Sequence, residues 1–212
     1  MPATAKICGL TTPATLDAAV AGGASHVGFV FFRPSPRHLA FARAGALAAR
    51  TPDRVGKVGV FVDPDDALLD AAVAAARLDA VQLHNVVPAR IAAIRARLGI
   101  ETWAAVAVKT RRDLDAAAEV AGAADRIVYD AKTPPGAPLP GGMGVRFDWT
   151  LLDGVRHPRP WILSGGLDAG NVGEAIARTG ATLVDVSSSV EIAAGIKDAA
   201  LIGAFLQAVA AG

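Results

Sequence analysis

The stretch that decides the fold is PWILSGGLDAGNVGEAIARTGATLVDVSSSVE, running from Pro160 to Glu191. Its pattern predicts a strand over Trp161 to Leu163, a Gly-rich turn over Ser164 to Gly166 and a helix from Ala169 to Thr179. A second strand over Leu183 to Val186 follows, and then a serine run that opens a short helix. Two backbone-donor turns therefore stand side by side at the ends of parallel strands. Paired glycines let the backbone approach a ligand closely, and the unpaired N–H groups at a helix start suit a phosphate.

Outward from this stretch, short apolar or β-branched runs alternate with Ala-rich helical segments. The first strand is Ala5 to Cys8, followed by a helix from Pro13 to Ala21 with Thr12 as its cap and Gly22-Gly23 as its stop. The second is His26 to Phe31, then the loop RPSPRHL and a helix from Ala42 to Arg50. The third is Lys57 to Phe61, after which Asp63 caps a helix starting at Pro64. The fourth is Ala80 to Leu83, with a helix from Pro88 to Leu98 ending at Gly99. The fifth is Thr102 to Ala107, with a helix from Arg111 to Ala121. The sixth is Arg126 to Tyr129, leading into the loop AKTPPGAPLPGGMGVRFD. Counting the opening stretch, that makes eight units, which predicts an α/β fold: a (β/α)8 TIM barrel spanning residues 1–212 as one domain. A doubly wound open sheet would carry a G-x-G-x-x-G turn near its start, and none is present. The sixth loop is longer than the roughly 2 to 6 residues of an ordinary connection, which suits a lid or binding loop.

Composition narrows the partners. Lys plus Arg number 21 against 20 Asp plus Glu, a formal charge of +1, so no broad attraction to nucleic acid or anionic membrane is expected and an anionic ligand must be caught locally. No apolar run approaches the roughly 20 residues of a bilayer span, and the start MPATAKICG lacks a signal peptide's apolar region, which together predict a cytoplasmic protein. A single cysteine excludes an intrachain disulfide, and four scattered histidines show no ligand spacing, so no metal and no cofactor is expected.

In such a barrel the chemistry sits where the strands end. Side chains two apart on a strand share a face, so Lys6 and Cys8 oppose Ile7, while Gln82 and His84 oppose Val81 and Leu83. The apolar partners must face the helices, which turns the polar ones towards the barrel interior. A lone cysteine is commonly a small buried hydrophobe. At a strand end, beside Lys6 and before Gly9, Cys8 reads instead as a thiol whose pKa the ammonium pulls towards neutrality. Asp130 ends the run IVY and reads either as a cap or as the acid complementing that base. His84 and Gln82 line the pocket or satisfy interior contacts. Arg37 is solvated or presents its planar fork to a carboxylate. Ser187 and Ser188 cap a helix or hold an anion, functions served by the same donors.

Together these residues resemble phosphoribosylanthranilate isomerases of tryptophan biosynthesis. The likeness runs through KICG (Lys6 to Gly9), GFVFFRPSPRHL (Gly28 to Leu39), VGVFVDP (Val58 to Pro64), VQLH (Val81 to His84), GGMGVRFDW (Gly141 to Trp149), LSGGL (Leu163 to Leu167) and DVSSSVE (Asp185 to Glu191). It implies an Amadori rearrangement of N-(5-phosphoribosyl)anthranilate, with Cys8 as general base and Asp130 as general acid. It further implies Lys6, Arg37, Gln82, His84 and Asp185 at the substrate, Arg37 facing the anthranilate carboxylate and Asp185 the sugar hydroxyls. Gly165, Gly166, Ser187 and Ser188 would hold the phosphate. The implied partner is a small molecule carrying a phosphate and a carboxylate, bound by a monomer or homodimer. Three departures stand out: Asn85 where glycine commonly follows VQLH, Ser189 within the serine run, and Ala104 where a lysine is often found near the end of the fifth strand. Two rivals remain at this point. The histidine-pathway barrel performs an analogous rearrangement with two aspartates, whereas the first strand here ends in Cys8. A non-catalytic sugar-phosphate-binding barrel would keep the cradle and use Cys8 only as core.

Overall fold

A computed structural model describes residues 2–133, 136, 141 and 144–212. Eight parallel strands close into a barrel: β1 (Thr4–Cys8), β2 (His26–Val30), β3 (Gly56–Val62), β4 (Ala80–His84), β5 (Glu101–Val108), β6 (Arg126–Ala131), β7 (Trp161–Leu163) and β8 (Leu183–Val186). Each pairs with the next, and β1 pairs with β8 in the register Thr4↔Leu183 to Ile7↔Val186, so the sheet has no open edge. The helices are α1 (Pro13–Ala21), α2 (Phe41–Arg50), α3 (Asp66–Ala76), α4 (Pro88–Leu98), α5 (Asp115–Val120), α6 (Val172–Thr179) and α7 (Ala199–Ala211). Short 3-10 turns cover Arg111–Leu114, Trp149–Leu152 and Ser188–Val190. A two-stranded antiparallel hairpin, β9 (Glu191–Ala193) and β10 (Ile196–Lys197), lies between β8 and α7.

The alternation read from the sequence sets which face each strand residue occupies. Ile7, Val81, Leu83, Ile127, Tyr129 and Val184 join the core between sheet and helices. Their neighbours point into the cylinder, where Val58, Ala80, Trp103, Val128, Ile162 and Leu183 fill a separate lower cluster. Cys8, Val30 and Val60 form a third cluster nearer the mouth. Layered filling of this kind makes the barrel a packed core rather than a pore.

Several local expectations are corrected. Asp63 does not cap the third helix: it adopts a left-handed φ of 42°, and Asp65 is the cap, its carboxylate accepting from the Leu68 amide at 2.7 Å. The fifth helical segment begins as a 3-10 turn whose Thr110 and Asp113 form a reciprocal capping box. The helix after the seventh strand starts at Val172 rather than Ala169, because Asp168 and Asn171 lock the intervening turn. Asn171 accepts from the Asp168 amide and donates to Asp168 and to the Gly166 carbonyl, all at 3.0 Å. The expected lid over the sixth loop falls largely outside the described residues.

Candidate active site

The strand ends surround a pocket of about 840 Å³, counted with the solvent at its mouth. Cys8 from β1, Gln82 and His84 from β4, Asp130 from β6, Ser164 beyond β7, and Asp185 from β8 all line it. Val30, Phe32, Val60 and Val62 make one wall apolar, with Arg37 also on the lining. The Gly165-Gly166 turn and Ser187 to Ser189 supply the backbone-rich wall.

Each polar group has a definite environment. Lys6 is 0% exposed and does not line the pocket; its ammonium donates to Asp185 Oδ1 at 2.8 Å from within the cylinder. Asp185 Oδ2 accepts from Ser164 Oγ at 3.3 Å. Asp130 Oδ1 accepts from the Ala131 amide at 3.0 Å. Burial, with the like charge of Asp185 second, pushes the Asp130 carboxyl up to about 7. A buried carboxylic acid that carries a proton near neutrality suits general-acid work.

Cys8 departs from the expectation. Burial raises its thiol above the ordinary 9.0, outweighing the Lys6 ammonium, which pulls the other way; Asp185 adds to the rise and Lys197 opposes it. The resting sulfur therefore carries its proton. Sequence reasoning saw the adjacent lysine and not the depth of burial.

His84 Nε2 accepts from Gln82 Nε2 at 2.9 Å, and burial followed by the Lys6 charge lowers its pKa to about 4, so the ring is neutral. Gln82 Oε1 is buried and, among the described residues, meets no donor. An unpaired buried acceptor on a pocket wall is costly until something supplies an N–H or O–H.

Arg37 is 5% exposed rather than solvated, and its Nε and Nη2 make a bidentate pair with Glu191 at 2.7 and 2.8 Å. Glu191 also accepts from Lys197 Nζ at 2.7 Å and from the Gly195 amide at 3.1 Å. Ser164, Glu191 and Lys197 were missed by sequence reasoning. The Arg37–Glu191 pair spans 154 positions, and no local pattern announces it.

Gly165 and Gly166 adopt φ values of 87° and 65°. A Cβ on Gly165 would stand 2.6 Å from the Ala131 nitrogen and 3.1 Å from Asp130 Oδ1, so the bare backbone is what lets this turn lie against the acid. Since α6 begins beyond Asn171, the glycine wall is a loop and not the first turn of that helix.

The departures from the family pattern are absorbed locally. Asn85 adopts φ 56°, the left-handed conformation a glycine would take and one that asparagine tolerates. Ser189 is absent from the described residues with positive φ, and its hydroxyl donates a short hydrogen bond to the Leu167 carbonyl. Ala104 lies mid-strand with its side chain in the outer core, away from the mouth.

The model of the N-(5'-phosphoribosyl)anthranilate (PRA) isomerase family matches residues 5–208. The chain is 54% identical to the N-(5'-phosphoribosyl)anthranilate isomerase of Rhodospirillum centenum, with 100% of each chain covered. It is similar to the crystal structure of phosphoribosyl anthranilate isomerase from Thermotoga maritima, with a TM-score of 0.86 and 35% identity over 98% of each chain. A second crystal structure, of such an isomerase in complex with reduced 1-(o-carboxyphenylamino)-1-deoxyribulose 5-phosphate, gives a TM-score of 0.84 and 33% identity over 98% of each chain.

Proposed function

This chain belongs to the N-(5'-phosphoribosyl)anthranilate isomerase family, and from that premise we propose how its own residues carry out the reaction. The protein isomerises N-(5'-phosphoribosyl)anthranilate to 1-(2-carboxyphenylamino)-1-deoxyribulose 5-phosphate in tryptophan biosynthesis. One observation carries the assignment of roles: Cys8 and Asp130 open onto the same pocket as a backbone-rich wall and a buried arginine. The phosphate lies on Gly165, Gly166, Ser187 and Ser188, while the aromatic ring packs on Val30, Phe32 and Val60 with its carboxylate towards Arg37. Gln82 and His84 meet sugar hydroxyls, the unpaired Gln82 acceptor taking one O–H. Asp185 faces the same sugar, held by Lys6 from beneath.

Asp130 gives its proton to the furanose oxygen as the C1–O bond breaks, the bonding pair going to oxygen and leaving a protonated Schiff base. The Cys8 thiolate removes the C2 proton, and the released pair forms the C1–C2 double bond of a neutral enolamine, which tautomerises to the ketone. Each turnover takes one proton from Asp130 and adds one to Cys8, so the proton must return from sulfur to carboxyl. With the Asp130 carboxyl near 7 and the thiol raised above its ordinary value, the resting pair keeps its proton on sulfur more firmly than on the carboxyl. Before each turnover the thiol must pass that proton to the ionised Asp130 carboxylate, which gives the thiolate and the protonated acid together, and this transfer is part of the barrier.

The test is turnover of purified protein with N-(5'-phosphoribosyl)anthranilate, followed by the change in anthranilate fluorescence. Replacement Cys8→Ala should lower kcat by about 10²- to 10⁴-fold. Rates near wild type in the folded variant would remove Cys8 from the base role.

A further inference from the structure

The β9–β10 hairpin carries two buried charges that the reaction as described leaves idle. Lys197 is 6% exposed, and its ammonium donates to Glu191 Oε1 at 2.7 Å, to the Ser187 carbonyl at 2.8 Å and to Ser187 Oγ at 3.1 Å. Ser187 Oγ in turn donates to the Cys8 carbonyl at 3.3 Å. Glu191 binds Arg37 through both carboxylate oxygens. The hairpin turn also packs closely on the strand 2 loop, where a Cβ on Gly195 would stand 2.6 Å from the Pro36 carbonyl oxygen. One short hairpin thus touches the residue before the carboxylate anchor, the anchor itself and the phosphate wall, and through Ser187 it reaches the backbone of the base.

We propose that Lys197 is a positioning residue of the isomerase: its ammonium, held by Glu191, orients the Ser187–Ser188 peptide and supplies positive charge that favours the Cys8 thiolate. This rests on the reading of Cys8 as base. The peptide argument is geometric. A trans peptide is planar, so drawing the Ser187 carbonyl towards Lys197 turns the Ser188 N–H the opposite way. Ser188 lines the pocket, and that N–H belongs to the wall assigned to the phosphate.

The charge argument follows from what faces the sulfur. Lys6 on β1, Asp185 on β8 and Lys197 on β10 are the charged groups acting on Cys8. Lys6 is already committed to Asp185 at 2.8 Å, which offsets its charge. Lys197 is the second cation, and Glu191 and Arg37 are the charged groups that face it besides Cys8. Burial lowers the Lys197 pKa, with the Glu191 carboxylate opposing that shift. Glu191 thus serves Arg37 and Lys197 together.

Cys8 is the only cysteine of the chain, so the pH dependence of alkylation by iodoacetamide reads its ionisation directly and without substrate. Lys197→Gln keeps a donor for the Ser187 carbonyl and removes the charge. It should move the alkylation midpoint up by about one pH unit, within the range an adjacent opposite charge exerts, and leave KM within twofold. Lys197→Met should move the midpoint equally and also raise KM several-fold, while Lys197→Arg should leave the midpoint near wild type. An unmoved midpoint in folded Lys197→Gln protein overturns the proposal. If those variants do not fold, the ¹³Cε resonance of Lys197 in wild-type protein reads the reciprocal coupling. Carbamidomethylation of Cys8 should lower the Lys197 titration midpoint, and an unchanged midpoint overturns the proposal. Failure here with turnover abolished in Cys8→Ala would leave the base assignment standing, whereas full turnover in Cys8→Ala would remove the base whatever the titration shows.

Discussion

The two ends of one cylinder are built by opposite rules. At the lower end Trp103 and five aliphatic side chains fill the interior, and the charges there sit at the rim with partners. The Trp103 indole N–H donates to Glu101 at 2.8 Å, Arg126 lies 5.8 Å over the same ring and pairs with Glu101 at 3.1 Å, and His26 meets the ring edge-on at 5.3 Å. At the mouth the equivalent inward positions carry Gln82, His84, Asp130 and Asp185, buried and only partly compensated. Two carboxyls share that space, one acceptor has no partner among the described residues, and a thiol is held above its ordinary pKa. Identical strand geometry therefore serves packing at one end and chemistry at the other. The mouth costs stability that the lower end supplies.

The sharpest way to break this contrast is Trp103→Ala. Removing the ring from the lower plug should cost about 3–5 kcal/mol, seen as a lower midpoint in urea unfolding, while kcat of the folded fraction stays close to wild type. A large fall in kcat at full folding would mean the two ends are not separable.

Asp130→Asn should give the converse. Its kcat should fall by about 10²- to 10⁴-fold while its stability rises. The folded carboxyl ionises near 7 and the unfolded one near 3.8, so between those values the native state holds the extra proton. The stability of the wild-type protein relative to the Asp130→Asn variant therefore falls as pH rises through that window and is flat above it, by at most about 4 kcal/mol. Melting temperatures of the two proteins from pH 4 to 8 test this, and parallel curves would contradict it.

Arg37→Ala should raise KM by roughly 10- to 100-fold for the carboxylated substrate, given about 1.5–3 kcal/mol for hydrogen bonds to charged groups, and by less for an analogue lacking the carboxylate. Equal effects would assign Arg37 to the Glu191 network alone. The smallest expected change is Asn85→Ala, which places alanine at φ 56° and should cost about 1–2 kcal/mol in urea unfolding.

The sequence revealed the barrel because periodicity is a local property. Trp161–Leu163, Leu183–Val186 and Pro88–Leu98 fall where their runs and glycines put them. Cys8, Gln82, His84 and Asp130, all on the pocket lining, followed from alternation and from where the apolar runs end. What escaped was non-local or subtle. The β9–β10 hairpin is two short strands of three and two residues, too brief to leave a pattern. The α7 helix, rich in alanine and leucine and capped by Asp198, also passed unnoticed. The direction of the Cys8 shift depends on burial outweighing a neighbouring ammonium, a contest that residue order does not decide.

A closed ring of strands has a seam, and here the chemistry straddles it. Cys8 and Lys6 lie on one side, Asp185 and Ser187 on the other, and the Lys6–Asp185 ion pair stitches residues 179 positions apart. The entropy of bringing such distant segments together must be met before the pair can form. Catalytic competence therefore reports that the circle is complete, and in refolding the recovery of turnover should trail the recovery of helical signal.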